Sequence, residues 1–335
     1  MKAFVLNRYG GPDASQMQDL PIPEPAAGEV LVRVKAAGLN PVDFKTREGK
    51  LKVVTPYRLP TTMGNELAGV VERVGPGVSR FAPGNRVFAR TAKNAMGAFA
   101  EFAIVPENLL AIVPAPLDFP AAAGIPLAGL TALQALRDEM GIGPGSRVFI
   151  PGGAGGVGTF AIQIAKALGA HVITTASPRG RELVERLGAD EVIDYTSQRL
   201  EDHVSGVDGV FDLIGGDTLT KAFGVVKPGG MVLSVAALPE PQTALKDLKM
   251  GLGYAALFWL ISLPLRLRAW RHGARYRFLF MHPSGPELDE LGRMVEDSRL
   301  APVIDRVFPF AELPQALAYL EQGRAKGKVV VQMDA

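Results

Sequence analysis

The chain has 335 residues, 47% of them hydrophobic and 21% charged, an ordinary globular composition with enough length for two buried cores. Its 36 basic and 34 acidic residues leave a formal charge of +2, so no field of one sign argues for nucleic acid or an acidic partner. It contains no cysteine, so disulfides, thiol catalysis and cysteine-rich zinc sites are excluded together.

In chain order, MKAFVLNRYGGP is a short alternating run with no basic start, long apolar stretch or small-residue cleavage site. It is expected to form a strand, and the protein is expected to be cytoplasmic. Up to about residue 118 the pattern is all-β: EVLVRVKAAGLN, ELAGVVERVGPGV, NRVFAR and GAFAEFAIVP alternate between Pro/Gly turns. A helical stretch, FPAAAGIPLAGLTALQALRDEM, then leads into RVFIPGGAGGVG.

That glycine cluster carries the strongest chemical signal. Gly153, Gly155 and Gly158 satisfy G-x-G-x-x-G between a short apolar strand and an apolar-periodic helix, with Gly156 and Val157 opening the helix. The first glycine allows a tight turn, the second lets backbone N–H groups approach a pyrophosphate, and the third lets helix and strand pack closely. The pyrophosphate then lies at a helix N-terminus, where unpaired N–H groups and the dipole favour an anion. Beyond it HVITT, RELVERLGA, EVIDY, GVFDLIG, DTLTKAFGVV and MVLSVAAL alternate strand with helix, which predicts an α/β, doubly wound parallel sheet.

The run from Gly251 to Met281 is mostly apolar from Leu252 to Leu265 and then carries five arginines with no acid. Transmembrane helices need about 20 apolar residues, and this run is shorter and holds Pro264. A helical insertion with solvated arginines, packed over a cleft or at a dimer contact, is expected in preference to membrane contact. From Pro286 come ELDELGRMVED, PVIDRVFPF, a helix ELPQALAYLEQG closed by Gly323, and a last strand KVVVQM.

At the end of the second nucleotide-domain strand an NAD-binding chain carries an acid for the ribose 2′-OH. Here the stretch reads TTASPRGRE, with Ser177, Arg179 and Arg181 ahead of the first acid, Glu182. Guanidinium groups in place of a carboxylate suit a 2′-phosphate and predict NADPH. Each charge-assisted hydrogen bond is worth about 1.5–3 kcal/mol, so loss of one is expected to weaken NADPH roughly ten- to a hundredfold.

Nearly end to end, the chain resembles the medium-chain dehydrogenase/reductase superfamily. The resemblance is carried by MKAFVLNRYGGP, AAGLNPVDFKTREG, GNELAGVVERVGPGV, PLAGLTALQAL, GGAGGVG, LGADEVIDY and GKVVV. It implies a GroES-like β-rich catalytic domain, residues 1–118 and 286–335, around a Rossmann NADPH-binding domain at 119–285. Zinc-dependent members hold their metal with a Cys near the position of Asn40 and a His in Gly-His-Glu; here Asn40 and Asn65 stand there, and the structural-zinc cysteines are missing. His171, His203, His272 and His282 show no ligand spacing, so no metal is expected.

What remains is similar to the zinc-independent quinone oxidoreductases and most of all to the enone (alkenal/one) reductases, through Asn40-Pro41-Val42-Asp43-Phe44-Lys45 and then Gly49-Lys50. The resemblance implies that Tyr195 lies against the adenosine phosphate, that Thr131 is near the nicotinamide, and that Ile214 and Lys328 line the cofactor cleft. It further implies hydride transfer to the β-carbon of an α,β-unsaturated carbonyl, with Asn40 and Lys45 as candidate catalytic donors. One such pre-positioned donor contributes ~2.7–4 kcal/mol. An NADPH:quinone oxidoreductase and a non-catalytic NADPH-binding sensor or scaffold are the alternatives, and a homodimer is usual among relatives. A short-chain dehydrogenase is rejected, because the glycines lie mid-chain and Tyr195 is followed four residues on by Arg199 rather than Lys.

Overall fold

The computed structural model describes residues 1–333. They form sixteen strands and ten α-helices, divided between a first unit of residues 1–130 with the chain from 283 onward, and a second unit of residues 131–282.

In the first unit β1 (Lys2–Leu6), β2 (Ser15–Asp19) and β4 (Thr61–Thr62) make a small sheet in the order β2-β1-β4. The larger sheet contains β3 (Glu29–Leu39), β5 (Glu66–Val74), β6 (Arg86–Arg90), β7 (Phe102–Pro106), β8 (Leu110–Ile112), β15 (Ile304–Pro309) and β16 (Lys328–Gln332). Its order is β15-β16-β3-β5-β6-β8, with β7 also paired to β3. Strand β3 is the longest and has two register irregularities against β5, so its first half pairs with β7 and its second half with β16. Phe4, Leu6, Val32, Leu39, Leu67, Phe99 and Val329 share one core beneath these strands.

Residues 1–118 are not all-β: Asn40 ends β3, and Pro41 opens α1 (Pro41–Arg47), since proline at the first helical position lacks only an N–H the helix does not use. The expected helix after residue 118 is broken by Pro126 into α2 (Phe119–Ala123) and α3 (Pro126–Leu133). Asp118 caps α2 by accepting from Ala121 N–H at 2.8 Å, and α2 packs on β3 and β5. Residues 119–130 therefore belong with the first unit, later than the boundary at 118 read from the sequence, and the chain rejoins it at Pro283 rather than 286. There α9 (Gly285–Glu296) and α10 (Leu313–Glu321) complete it.

The second unit is a six-stranded parallel sheet of β9 (Arg147–Ile150), β10 (His171–Ala176), β11 (Glu191–Asp194), β12 (Val207–Asp212), β13 (Val226–Ser234) and β14 (Arg275–Phe278), in the order β11-β10-β9-β12-β13-β14. The order reverses between β9 and β12, and ligands in such sheets bind outside the carboxyl ends of the strands at that point. The connecting helices are α4 (Gly156–Ala167), α5 (Pro178–Arg186) and α6 (Gly216–Val225). Phe149, Ile173, Val210, Phe223 and Val232 form a core on one face.

The insertion is helical only in part: α7 (Leu252–Ile261) and α8 (Leu263–Arg271) are followed by β14, the sixth strand. Its last arginine is not solvated. Arg277 is buried on β14, donating to Glu139 at 3.0 Å and Glu240 at 2.9 Å and pairing with Asp247. Arg275 shares that face of β14 but lies at the exposed start of the strand, whereas Arg277 sits further in, opposite Leu233 of β13. Three largely buried carboxylates thus share one guanidinium, with Lys246 also on Glu139 and main-chain N–H groups on the other two. Arg277→Met is expected to destabilise this unit by about 3–5 kcal/mol in urea unfolding followed by circular dichroism, and an unshifted midpoint would show that the cluster is not structural.

Candidate active site

In the second unit the glycine turn lies where the strand order reverses. A Cβ on Gly153 would stand 2.2 Å from Thr174 Oγ1, and one on Gly158 2.4 Å from the Gly152 carbonyl oxygen, so neither position accepts a side chain. The left-handed residue of the turn is Gly152, φ +80°, which the motif spacing does not single out. Gly155 is the N-cap of α4 with no side-chain cap, so Gly156, Val157 and Gly158 present first-turn N–H groups as an anion site.

The other expected cofactor residues are distributed around this sheet. Ile214 follows β12, is exposed, and reaches within 2.7 Å of where a Gly152 Cβ would be. Its turn is held by buried Asp212, which accepts from Gly215 N–H at 2.9 Å and Ser234 Oγ at 2.6 Å. Ser177 is the N-cap of α5, and Arg179 is exposed in its first turn. Arg181 points elsewhere: it pairs with Glu185 at 3.1 Å and donates to the Val192 carbonyl at 3.0 Å. Tyr195 is exposed beyond β11, and Thr131 is buried on α3. The glycine cradle, the uncapped α4 terminus and the basic strand end fit a phosphorylated dinucleotide.

In the first unit the sheet register assembles a second constellation. Gly38 on β3 faces Glu66 on β5, and Leu39 faces Val329 on β16, so Asn40, Glu66 and Lys328 converge. Lys328 Nζ donates to Glu66 Oε1 at 2.7 Å, to the Leu39 carbonyl at 3.1 Å and to Asn40 Oδ1. Asn40 Nδ2 donates to Glu66 Oε1 at 2.6 Å, and Glu66 Oε2 accepts from Leu127 N–H at 2.6 Å. Gly38 is required here, because a Cβ would lie 2.3 Å from Glu66 Oε1. All three ammonium donors of Lys328 are taken within this cluster. Lys45 lies half-exposed on α1 and takes no part in the cluster.

Asp43 and Asn65 extend the network. Asp43 Oδ2 accepts from Asn40 N–H and Oδ1 from Asn65 Nδ2, each at 2.7 Å, so one carboxyl caps α1 and orients a second amide. Arg90 lies buried at the end of β6, where burial holds its guanidinium below the usual range. Its Nε and Asn65 Oδ1 are buried without partners. Glu66, Asp43 and Arg90 escaped sequence reasoning; Glu66 opens β5 and Arg90 closes β6, where charge is ordinary, and the one local signal was an acid at the third helical position of α1.

Burial pushes the Asp43 carboxyl from 3.8 up to about 7; Glu66 adds to the rise, while the Asn65 amide, the Asn40 N–H and Lys328 oppose it. A carboxyl that binds its proton more tightly when folded gives stability that is full below the unfolded value and is lost as pH climbs through the folded one. Stability is therefore expected to fall between about pH 4 and pH 7 by more than in Asp43→Asn, which cannot ionise. Parallel curves for the two proteins in denaturant titrations would contradict this.

Comparison with known proteins gives the family. Residues 26–116 match the alcohol dehydrogenase GroES-like domain and residues 187–331 the zinc-binding dehydrogenase family model. The mitochondrial NAD(P)H oxidoreductase RTN4IP1 of Mus musculus is 36% identical over 99% of this chain and 89% of its own. The chloroplastic NADPH-dependent alkenal/one oxidoreductase of Arabidopsis thaliana is 37% identical over 99% of this chain and 79% of its own. The structure of the quinone oxidoreductase from Coxiella burnetii superposes with a TM-score of 0.85 at 32% identity, covering 100% of this chain and 99% of that one. The chain belongs to the medium-chain dehydrogenase/reductase superfamily, in its zinc-independent branch of NAD(P)H-dependent quinone and enone oxidoreductases.

Zinc does not fit the residues present. Asn40 and Asn65 offer amides where a thiolate or imidazole would be needed, and the Lys328 ammonium already occupies the acceptors of Asn40 and Glu66. Among the described residues no group of three or more His, Cys, Asp or Glu is arranged to hold a metal.

Proposed function

We propose that this protein reduces the carbon–carbon double bond of α,β-unsaturated carbonyl compounds with NADPH. The observation that carries the proposal is the buried Asn40 amide, held between Lys328 and Glu66 beside the Lys45 helix.

NADPH, when bound, supplies a hydride. The glycine turn and the α4 N-terminus would hold its pyrophosphate, while Ser177 and Arg179 would meet the 2′-phosphate and Tyr195 and Ile214 would border the nucleotide. Hydride addition to the β-carbon moves the π electrons toward the carbonyl oxygen, so an enolate must be stabilised. Asn40 Nδ2 carries two protons and gives one to Glu66, which leaves the other for that oxygen. The buried ammonium of Lys328 adds positive potential through the same amide and fixes its orientation. Lys45, half-exposed, delivers a proton to the α-carbon and recovers it from solvent, completing addition of H⁻ and H⁺.

A saturated aldehyde needs stronger polarisation, because its charge develops on one oxygen without conjugation. A quinone accepts the same hydride and is the second reading, supported by the quinone oxidoreductases among the relatives. The Asn-Pro-Val-Asp-Phe-Lys pattern and the similarity to a protein named alkenal/one oxidoreductase favour the enone.

NADPH oxidation is expected to be fastest with a small vinyl ketone, slower with a benzoquinone and negligible with a saturated aldehyde, all unaffected by chelator. Asn40→Ala is expected to lower kcat on the enone about a hundredfold. A quinone rate above the enone rate would transfer the assignment to the second reading.

A further inference from the structure

We propose that the α7–α8 hairpin docks the protein on an anionic phospholipid surface. Helix α7, LGYAALFWLI, is apolar on every side, yet only Ala255 and Phe258 are buried. Leu252 is 80% exposed, Leu260 61% and Trp270 76%. More than half of the exposed large apolar side chains among the described residues fall between Leu245 and Trp270. Both tryptophans of the chain, Trp259 and Trp270, are in this hairpin, the residue type that gathers where hydrocarbon meets headgroups. No helix among the described residues is long and apolar enough to cross a membrane, so the geometry suits a helix lying in the interface.

Charge selects the partner. From Leu248 to Pro286 the chain carries Lys249 and five arginines with no Asp or Glu. Arg277 is committed to its buried carboxylates, but Arg268, Arg271 and Arg275 border the apolar surface. The nearby acids Glu139, Glu240 and Asp247 are bound to Arg277, and Glu139 also to Lys246. A cavity of about 450 Å³ at the foot of α8 is lined by Arg266, Trp270, Arg275 and Tyr276, with Glu139 as its acid. Arg266 stacks over the Trp259 ring at 5.4 Å, and one of its terminal nitrogens is buried without a partner. A headgroup phosphate would supply the missing acceptor while Trp270 and the α7 leucines enter the acyl boundary.

A second copy of the chain is a poorer occupant, because a two-fold contact would bring these arginines against their own images. Nucleic acid leaves the exposed leucines unexplained.

The test is co-sedimentation of the full chain with vesicles of phosphatidylcholine alone and of phosphatidylcholine mixed with phosphatidylserine. Binding is expected to the mixed vesicles only and to weaken with salt. Each arginine near such a surface is worth roughly fivefold in partition, so Arg268→Glu with Arg271→Glu should reduce binding by at least about twentyfold. Trp270→Ser should weaken it as well, and both variants should keep the parent rate of NADPH oxidation. No binding to the anionic vesicles overturns the proposal, as does equal binding of the charge-reversed variant. So does a stable dimer that the Trp270→Ser change dissociates without any effect on vesicle binding.

Discussion

The buried pair of Lys328 and Glu66 is the interaction on which the catalytic unit depends. Removing two charges from water costs several kcal/mol per ion, and the cost is offset only when every donor and acceptor is satisfied. Here the ammonium has three acceptors, and the carboxylate takes donors on both oxygens, one of them a main-chain N–H from α3. That saturation needs three strands in register, an unsubstituted Gly38 and a helix start at Pro126 at the same time. Within it the Asn40 amide has one orientation, and the Asp43 carboxyl holds both the helix that follows and the Asn65 side chain. The polar constellation is thus pre-organised by the fold, the condition under which hydrogen-bond donors stabilise developing charge most effectively.

The second unit solves a different problem with the same economy of parts. A parallel sheet buried on both faces leaves its functional groups at the carboxyl ends of the strands, and the reversal between β9 and β12 opens a crevice there. Gly153 and Gly158 let β9, β10 and α4 approach closely, while Asp212 and Ser234 hold the turn after β12 that carries Ile214. At the far edge, the buried Arg277 cluster ties β14 to the segments that carry Glu139, Glu240 and Asp247.

The glycine turn and the alternation of strand and helix were legible because each is a local pattern with one physical reading. The Lys328–Glu66 pair was not: its members are 262 residues apart, and only the β16-β3-β5 register joins them. Lys328 was visible only through family resemblance, which set it beside the cofactor and missed its partners. Helix α1 was hidden inside a stretch dominated by strand alternation, with Pro41 and the Asn40–Asp43 capping pair as its local marks. Arg277 was grouped with four other arginines, and its buried partners Glu139, Glu240 and Asp247, distant in sequence, separate it from them. The hairpin shows the opposite limit, since an apolar run reads as buried until the burial of each residue is known.

The most direct measurement of the account is the fate of deuterium carried on C4 of the nicotinamide when a vinyl ketone is reduced. Conjugate reduction with the charge held by the chain's own donors predicts deuterium on the carbon β to the carbonyl, with a proton from solvent on the α-carbon. Deuterium on the carbonyl carbon, giving an allylic alcohol, would contradict it.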